Sequence, residues 1–214
     1  KVLPTWIDAD GVEEIIITDW NSSEPFLYEH EKVRIVRVTN VDCWSSPQAF
    51  NVAARFSSND NDRLAKLDAD YKILNPNLFN EIGLEPGAFV SSNDALGTLN
   101  GFFYLYKEDF WRVNGFDDRM HGYGHDDTDM AIRLKMSGLR LKCFSKRNNM
   151  EHLPHKEQED KSMHQNNAYM SKVDPWRSSM PFLSIENLVK ESANVISCTV
   201  HRDLNDIDLL YTKQ

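Results

Sequence analysis

Between residues 12 and 70 the chain alternates short apolar runs of strand length with one helix-length run. That rhythm restricts the fold more than any other feature of its 214 residues. Val12 to Thr18 holds three consecutive isoleucines and reads as a buried strand, and Lys32 to Val38 is a second. Pro47 to Phe56 sets Phe50, Ala53 and Ala54 at helical spacing, and Arg63 to Leu67 is a third, shorter strand. Strands joined by crossovers long enough for helices predict an α/β protein with a mostly parallel central sheet flanked by helices. Open sheets of that kind bind ligands beyond the carboxyl ends of their strands. Two of those ends are acidic, with Asp19 after the first strand and Asp68-Ala69-Asp70 after the third.

A second concentration of acid lies between Asn114 and Leu134. Met130, Ala131 and Leu134 recur at helical spacing and Gly138 ends the run, so Asp126 and Asp127 fall in the first turn of a helix. One acid there would cap free N–H groups and suit the helix dipole. Three acids with His125, behind a Gly122-Tyr123-Gly124 loop that lets main chain approach a ligand, exceed what capping needs. Asp127 and Asp126 are the candidate general bases.

Residues i and i+2 of extended chain point to one side, so Asp68 and Asp70 can converge on a single cation. Two carboxylates with open remaining positions suit Mg²⁺ or Mn²⁺ bridging a diphosphate, although acids two apart also occur on solvated loops. Met150 to His155 supplies two histidines, and His152, with His155 as the alternate, can complete the set.

The balance of charge narrows the function classes. A net charge of −9 argues against nucleic acid as the primary partner. No run of about 18 apolar residues predicts a membrane span. Three cysteines without metal-ligand spacing, and no signal-like opening, predict free thiols in a cytoplasmic enzyme.

Together these residues resemble the glycosyltransferases of the GT-A fold, in particular the β-1,4-galactosyltransferase group. They also resemble the catalytic domains of chondroitin-type polymerases and polypeptide N-acetylgalactosaminyltransferases. The resemblance is carried by Asn100-Gly101, Lys107 to Phe110, Val113 to Phe116, and Gly122 to Asp129 through Arg133-Leu134. The family usually reads Gly-Trp-Gly-Gly-Glu-Asp where this chain has Gly-Tyr-Gly-His-Asp-Asp. A further departure is that the chain opens in the helix after the family's first strand and its Arg-containing turn.

The resemblance implies one glycosyltransferase domain, with residues 1–98 as the nucleotide-sugar and metal half and 99–155 as the acceptor and catalytic half. Residues 156–214, beyond the resemblance, read as a C-terminal helical appendage, with a polar helix from about Glu157 to Ser171, a helix near Ile185 to Ser192 and a strand near Val195 to Val200. The resemblance implies Asp127 as base with Asp126 assisting, and Tyr123, Gly124 and His125 at the acceptor. Asp68, Asp70 and His152 take the metal, and Asp19 and Gly101 join Asp68 and Asp70 on the donor side. Asp129 is left as a cap-region charge.

The implied cofactors are Mn²⁺ or Mg²⁺ and a nucleotide-sugar donor of the UDP-hexose kind. The implied partner is a glycan or glycoconjugate hydroxyl, in a domain that some relatives carry within a larger multidomain enzyme. Inversion follows from a placed base. The same aspartates would also serve a divalent-metal nucleotide-sugar hydrolase or phosphoesterase, and a non-catalytic carbohydrate-binding domain is the reading outside catalysis.

Overall fold

A computed structural model describes residues 1–41, 43–91, 101–120, 124–144, 148–154, 183–192 and 194–202. The chain opens with α1 (Leu3–Ile7), started by Pro4, whose fixed φ suits a first helical turn. From this helix the Trp6 indole donates to the Tyr71 carbonyl at 2.7 Å. Strands β1 (Ile15–Trp20) and β2 (Val33–Thr39) then pair in parallel, Ile15 opposite Val33 and Trp20 opposite Val38. Helix α2 (Ser46–Phe56) begins at Ser45, whose hydroxyl accepts from the Gln48 amide, and buries Ala49 and Val52 against that pair.

β3 (Arg63–Lys66) leaves this sheet and belongs to another. After it come β4 (Tyr71–Ile73), α3 (Leu78–Ile82), β5 (Ala88–Ser91), β6 (Phe103–Tyr106), α4 (Lys107–Arg112) and α5 (Asp126–Met136). Strands β7 (Arg140–Cys143) and β8 (Met150–His152) follow. The second sheet runs β3-β6-β5-β7, antiparallel except for the β5–β7 pair, and β4 and β8 form a two-stranded ribbon. Parallel pairing is thus confined to parts of a mixed α/β structure, because β3 folds back onto β6 where a crossover strand was expected. Phe89, Phe103 and Phe116 pack with Met130 and Leu134 of α5 beneath the second sheet, each buried ring stabilising by roughly 1.5–3 kcal/mol.

The tail corrects the expectation of a helical appendage. Residues near 185–192 form a strand, β9 (Leu183–Lys190), antiparallel to β10 (Val195–Arg202), which lies parallel beside β2. These segments are therefore part of the first sheet, in the order β1-β2-β10-β9. The β9–β10 pair carries a register shift, in which Ser197 faces Val189 while Thr199 faces Glu186. Ile185, Leu188 and Val189 recur at i, i+3 and i+4 in the sequence, a helical period that pairing with β10 overrides. The helix expected from Glu157 to Ser171 lies outside the described residues, as do Tyr123 and His155. Among the described residues no helix is long and apolar enough to cross a membrane.

Candidate active site

β3 stops at Lys66, and the chain turns at once, with the Tyr71 amide donating to the Asp68 carbonyl at 3.0 Å. That turn changes the expected geometry of the aspartate pair. Asp68 and Asp70 lie in a turn rather than in extended chain, and each has its own partner. Asp68 Oδ1 lies 2.9 Å from Lys66 Nζ, while Asp70 Oδ2 lies 3.1 Å from Nε2 of His152. The second contact follows from the ribbon, in which Tyr71 pairs with His152 and the Leu153 amide donates to the Asp70 carbonyl at 2.9 Å.

Lys66 connects this edge to α5. Its ammonium donates to Asp127 Oδ1 at 3.0 Å and stands 4.3 Å from the Phe50 ring centroid and 5.7 Å from that of Phe116. Burial alone would lower the lysine's pKa, but Asp127, Asp68 and Asp126 override it and hold the group above its ordinary value. Burial pushes the Asp127 carboxyl up to about 7, against the pull of Lys66 and with the help of Asp126 and Asp68. A carboxylate poised there, with its side chain 25% exposed, can both reach an acceptor and take its proton.

Gly101 closes the floor. Its amide donates to the Tyr71 hydroxyl at 3.3 Å, and burial raises the pKa of that phenol. A Cβ at 101 would collide with Asp68 Oδ2 and lie 2.7 Å from Lys66 Nζ, so any larger residue there would displace the Lys66–Asp68 pair.

The first turn of α5 is entered through two left-handed residues, Gly124 at φ 94° and His125 at φ 68°. A histidine in that region carries a strain of about 1–3 kcal/mol, which the surrounding structure must hold. Four residues on, Asp129 is no cap-region charge. It is 1% exposed and pairs at 2.7 Å with Arg133, which also donates to the Val113 and Gly115 carbonyls at 2.7 and 2.6 Å. Asp129 therefore ties α5 to the loop before it and is unavailable as a base.

The next loop is held from α2. Asn51 accepts from the Phe116 amide at 2.8 Å and donates to the Phe116 carbonyl at 2.8 Å and to Asp118. Gln48 donates to the Asp118 carbonyl at 2.9 Å, and Ser45 to the Met120 carbonyl at 3.1 Å. Neither Lys66 nor this stripe was singled out from the sequence. The same period-2 argument used for Asp68 and Asp70 would have put Lys66 beside Asp68, since only Leu67 separates them.

Asp19 serves the structure at the end of β1. Its carboxylate accepts from Arg37 at 2.6 Å and from the amides of Phe26 and Ser22 at 3.1 and 3.3 Å, at 4% exposure. Those bonds hold the loop that follows β1, and the donor-side role expected of Asp19 competes with them.

A cavity of about 470 Å³ lies between β1 and β3, lined by Ile15, Phe50, Leu64, Lys66, Phe103 and Met130. Among the described residues, Lys66 is the charged site group on its wall. Among the described residues no group of three His, Cys, Asp or Glu side chains forms a ready metal centre. The Asp70–His152 pair nonetheless offers the oxygen and imidazole donors that Mn²⁺ accepts, with Asp68 adjoining, so the donor set fits that ion.

Three comparisons bear on this arrangement. The family model described as the N-terminal domain of galactosyltransferase matches residues 89–156, the span that carries Gly101, Asp126, Asp127 and His152. The catalytic domain of Drosophila β-1,4-galactosyltransferase 7, solved with xylobiose, is similar at a TM-score of 0.60 and 18% identity, over 79% of this chain and 80% of that one. A mutant of that Drosophila enzyme, complexed with manganese, UDP-Gal and xylobiose, aligns at a TM-score of 0.60 and 16% identity, over 80% of each chain. No curated protein sequence matches. A galactosyltransferase-family segment set in a matching architecture gives this chain the GT-A glycosyltransferase fold and its resemblance to the β-1,4-galactosyltransferases.

Proposed function

We propose that the chain is a metal-dependent glycosyltransferase that moves a hexose from a UDP-hexose to a hydroxyl of a glycan or glycoconjugate, with inversion. The observation that carries this reading is Asp127, a partly exposed carboxylate at the start of α5 that shares the Lys66 ammonium with Asp68. The Drosophila structure holding manganese, UDP-Gal and xylobiose supports the ligand classes.

In this mechanism Asp127 takes the proton of the acceptor hydroxyl while that oxygen attacks the sugar's anomeric carbon. The bond from that carbon to the diphosphate oxygen breaks on the opposite face, and the nucleotide leaves with its electron pair. Asp70 and His152, with Asp68, would hold the divalent cation, which when bound offsets the charge gathering on the leaving phosphates. Asp126, in the same first turn, assists in holding the acceptor. Gly124 and His125 shape the main chain beside it.

The test is product analysis with UDP-Gal, UDP-Glc and UDP-GalNAc, with and without Mn²⁺, using xyloside and other glycoside acceptors. The expected product is an anomer-inverted glycoside formed only with acceptor and metal. Free sugar released at full rate without acceptor would establish a hydrolase instead. Asp127→Asn is expected to lower kcat by about 10²–10⁴, the range for loss of a general base, with donor and Mn²⁺ affinity nearly unchanged. Equal loss of donor affinity would remove Asp127 from that role.

A further inference from the structure

Lys66 is the one side chain described above that touches both the donor-side and the acceptor-side carboxylate, and the proposed mechanism leaves it unused. Its side chain is 8% exposed, with Asp68 Oδ1 at 2.9 Å, Asp127 Oδ1 at 3.0 Å and the Phe50 and Phe116 rings against it. The two carboxylates come from different elements, the turn after β3 and the first turn of α5. A flexible four-carbon side chain loses most of its rotamer freedom when enclosed this way. A buried ammonium is stable there only because two anions face it.

Resting on the glycosyltransferase reading, we propose that Lys66 is a positioning residue that anchors Asp127 for proton abstraction and competes with the divalent cation for Asp68. The anchoring half follows from the bond to Oδ1, which commits that oxygen and leaves Oδ2 for the acceptor proton. Placement errors of about 1 Å in a reacting group cost on the order of 10²-fold in rate. The competing half follows from Asp68, whose Oδ1 is in contact with the ammonium, so a cation drawing on Asp68 works against that contact. Removing the ammonium therefore has two effects of opposite sign, slower chemistry and tighter metal binding. A lysine that merely supported the fold would weaken both.

The experiment uses the whole chain as wild type, Lys66→Met and Lys66→Arg. Mn²⁺ alone is titrated by the free-ion electron paramagnetic resonance signal, and kcat and KM are measured at saturating Mn²⁺. Lys66→Met is expected to bind Mn²⁺ at least threefold more tightly while kcat falls roughly 100-fold and both KM values stay within about threefold. Lys66→Arg, which keeps the charge and the carboxylate contacts, is expected to recover at least about a tenth of wild-type kcat. Unchanged or weaker Mn²⁺ binding in Lys66→Met overturns the competition. A kcat within about threefold of wild type, or an arginine variant no faster than the methionine one, overturns the anchoring.

Should Lys66→Met fail to fold, Lys66→Gln removes the charge while keeping a donor, and its Mn²⁺ affinity is read the same way. If the wild type binds Mn²⁺ but transfers no sugar, the transferase reading and the anchoring fall with it. The Mn²⁺ titration then still decides the competition for Asp68.

Discussion

Asp129 and Asp127 stand two residues apart in one helical turn, and their replacement by asparagine should lower stability to very different extents. In Asp129→Asn the charge that balances Arg133 disappears while the guanidinium stays in place, 2% exposed, with the Val113 and Gly115 carbonyls as its remaining named partners. Removing one partner of a buried pair costs about 3–5 kcal/mol, because the other charge is left without compensation. For a domain of this size 1 kcal/mol moves Tm by about 2–4 °C, so the expected drop is roughly 6–20 °C. Asp127→Asn should cost less, because burial already disfavours the charged form of that carboxyl and Lys66 keeps Asp68 as its second anion.

Thermal melts followed by circular dichroism at pH 7.5 read both variants. The double variant Asp129→Leu with Arg133→Met tests the cause, since apolar residues replacing a whole buried pair are often neutral or stabilising. It should melt above Asp129→Asn. An Asp129→Asn Tm within about 2 °C of wild type, less than 1 kcal/mol on this scale, would refute the argument. So would a double variant melting no higher than the single one.

The rate and stability should also depend on pH through Asp127. As a base it must be ionised, so kcat/KM should rise with pH along a limb near 7, and a flat profile from pH 5 to 8 would exclude it. Its folded pKa lies above the ordinary value of 3.8, so the folded chain holds the proton more tightly. Its contribution to stability is greatest below about pH 4 and is lost as pH rises toward 7, a trend that Asp127→Asn should remove from Tm-against-pH curves. Gly101→Ala forces a methyl onto Asp68 and Lys66, for about 1–3 kcal/mol of overpacking, and calorimetry should find weakened Mn²⁺–UDP-sugar binding. Asn51→Ala leaves the Phe116 amide and carbonyl without their side-chain partner, at about 1–3 kcal/mol per orphaned group, and should raise acceptor KM more than donor KM.

Local pattern was enough for the elements whose burial follows a single period. β1, β2 and α2 lie within a few residues of their expected places, because apolar runs and a capped helix announce themselves in short windows. The start of α5 was legible for the same reason, and with it the placing of Asp126 and Asp127. What failed was set by turns, strand pairing and burial that a single period does not record. β9 looked helical because Ile185, Leu188 and Val189 fall at helical spacing, and only pairing with β10 identifies it as a strand. Extended geometry was assumed for Asp68 to Asp70, where the chain turns. Asp129 passed for a capping acid because nothing in its own turn reveals that Arg133 and two carbonyls enclose it. Asn51 and Gln48 are polar residues on a helix, and period alone cannot tell a buried amide from a solvated one.

That polar stripe on α2 limits how such a protein can be recombined. Ser45, Gln48 and Asn51 reach from the first half of the chain to the main chain of residues 116, 118 and 120 in the second. A graft of the 116–120 loop from a relative would import amides and carbonyls whose partners stay behind on the recipient's helix. The loop is therefore not a detachable cassette. The smallest heritable unit here is the loop together with α2, and crossovers falling between residues 51 and 116 should yield chimaeras that fold poorly.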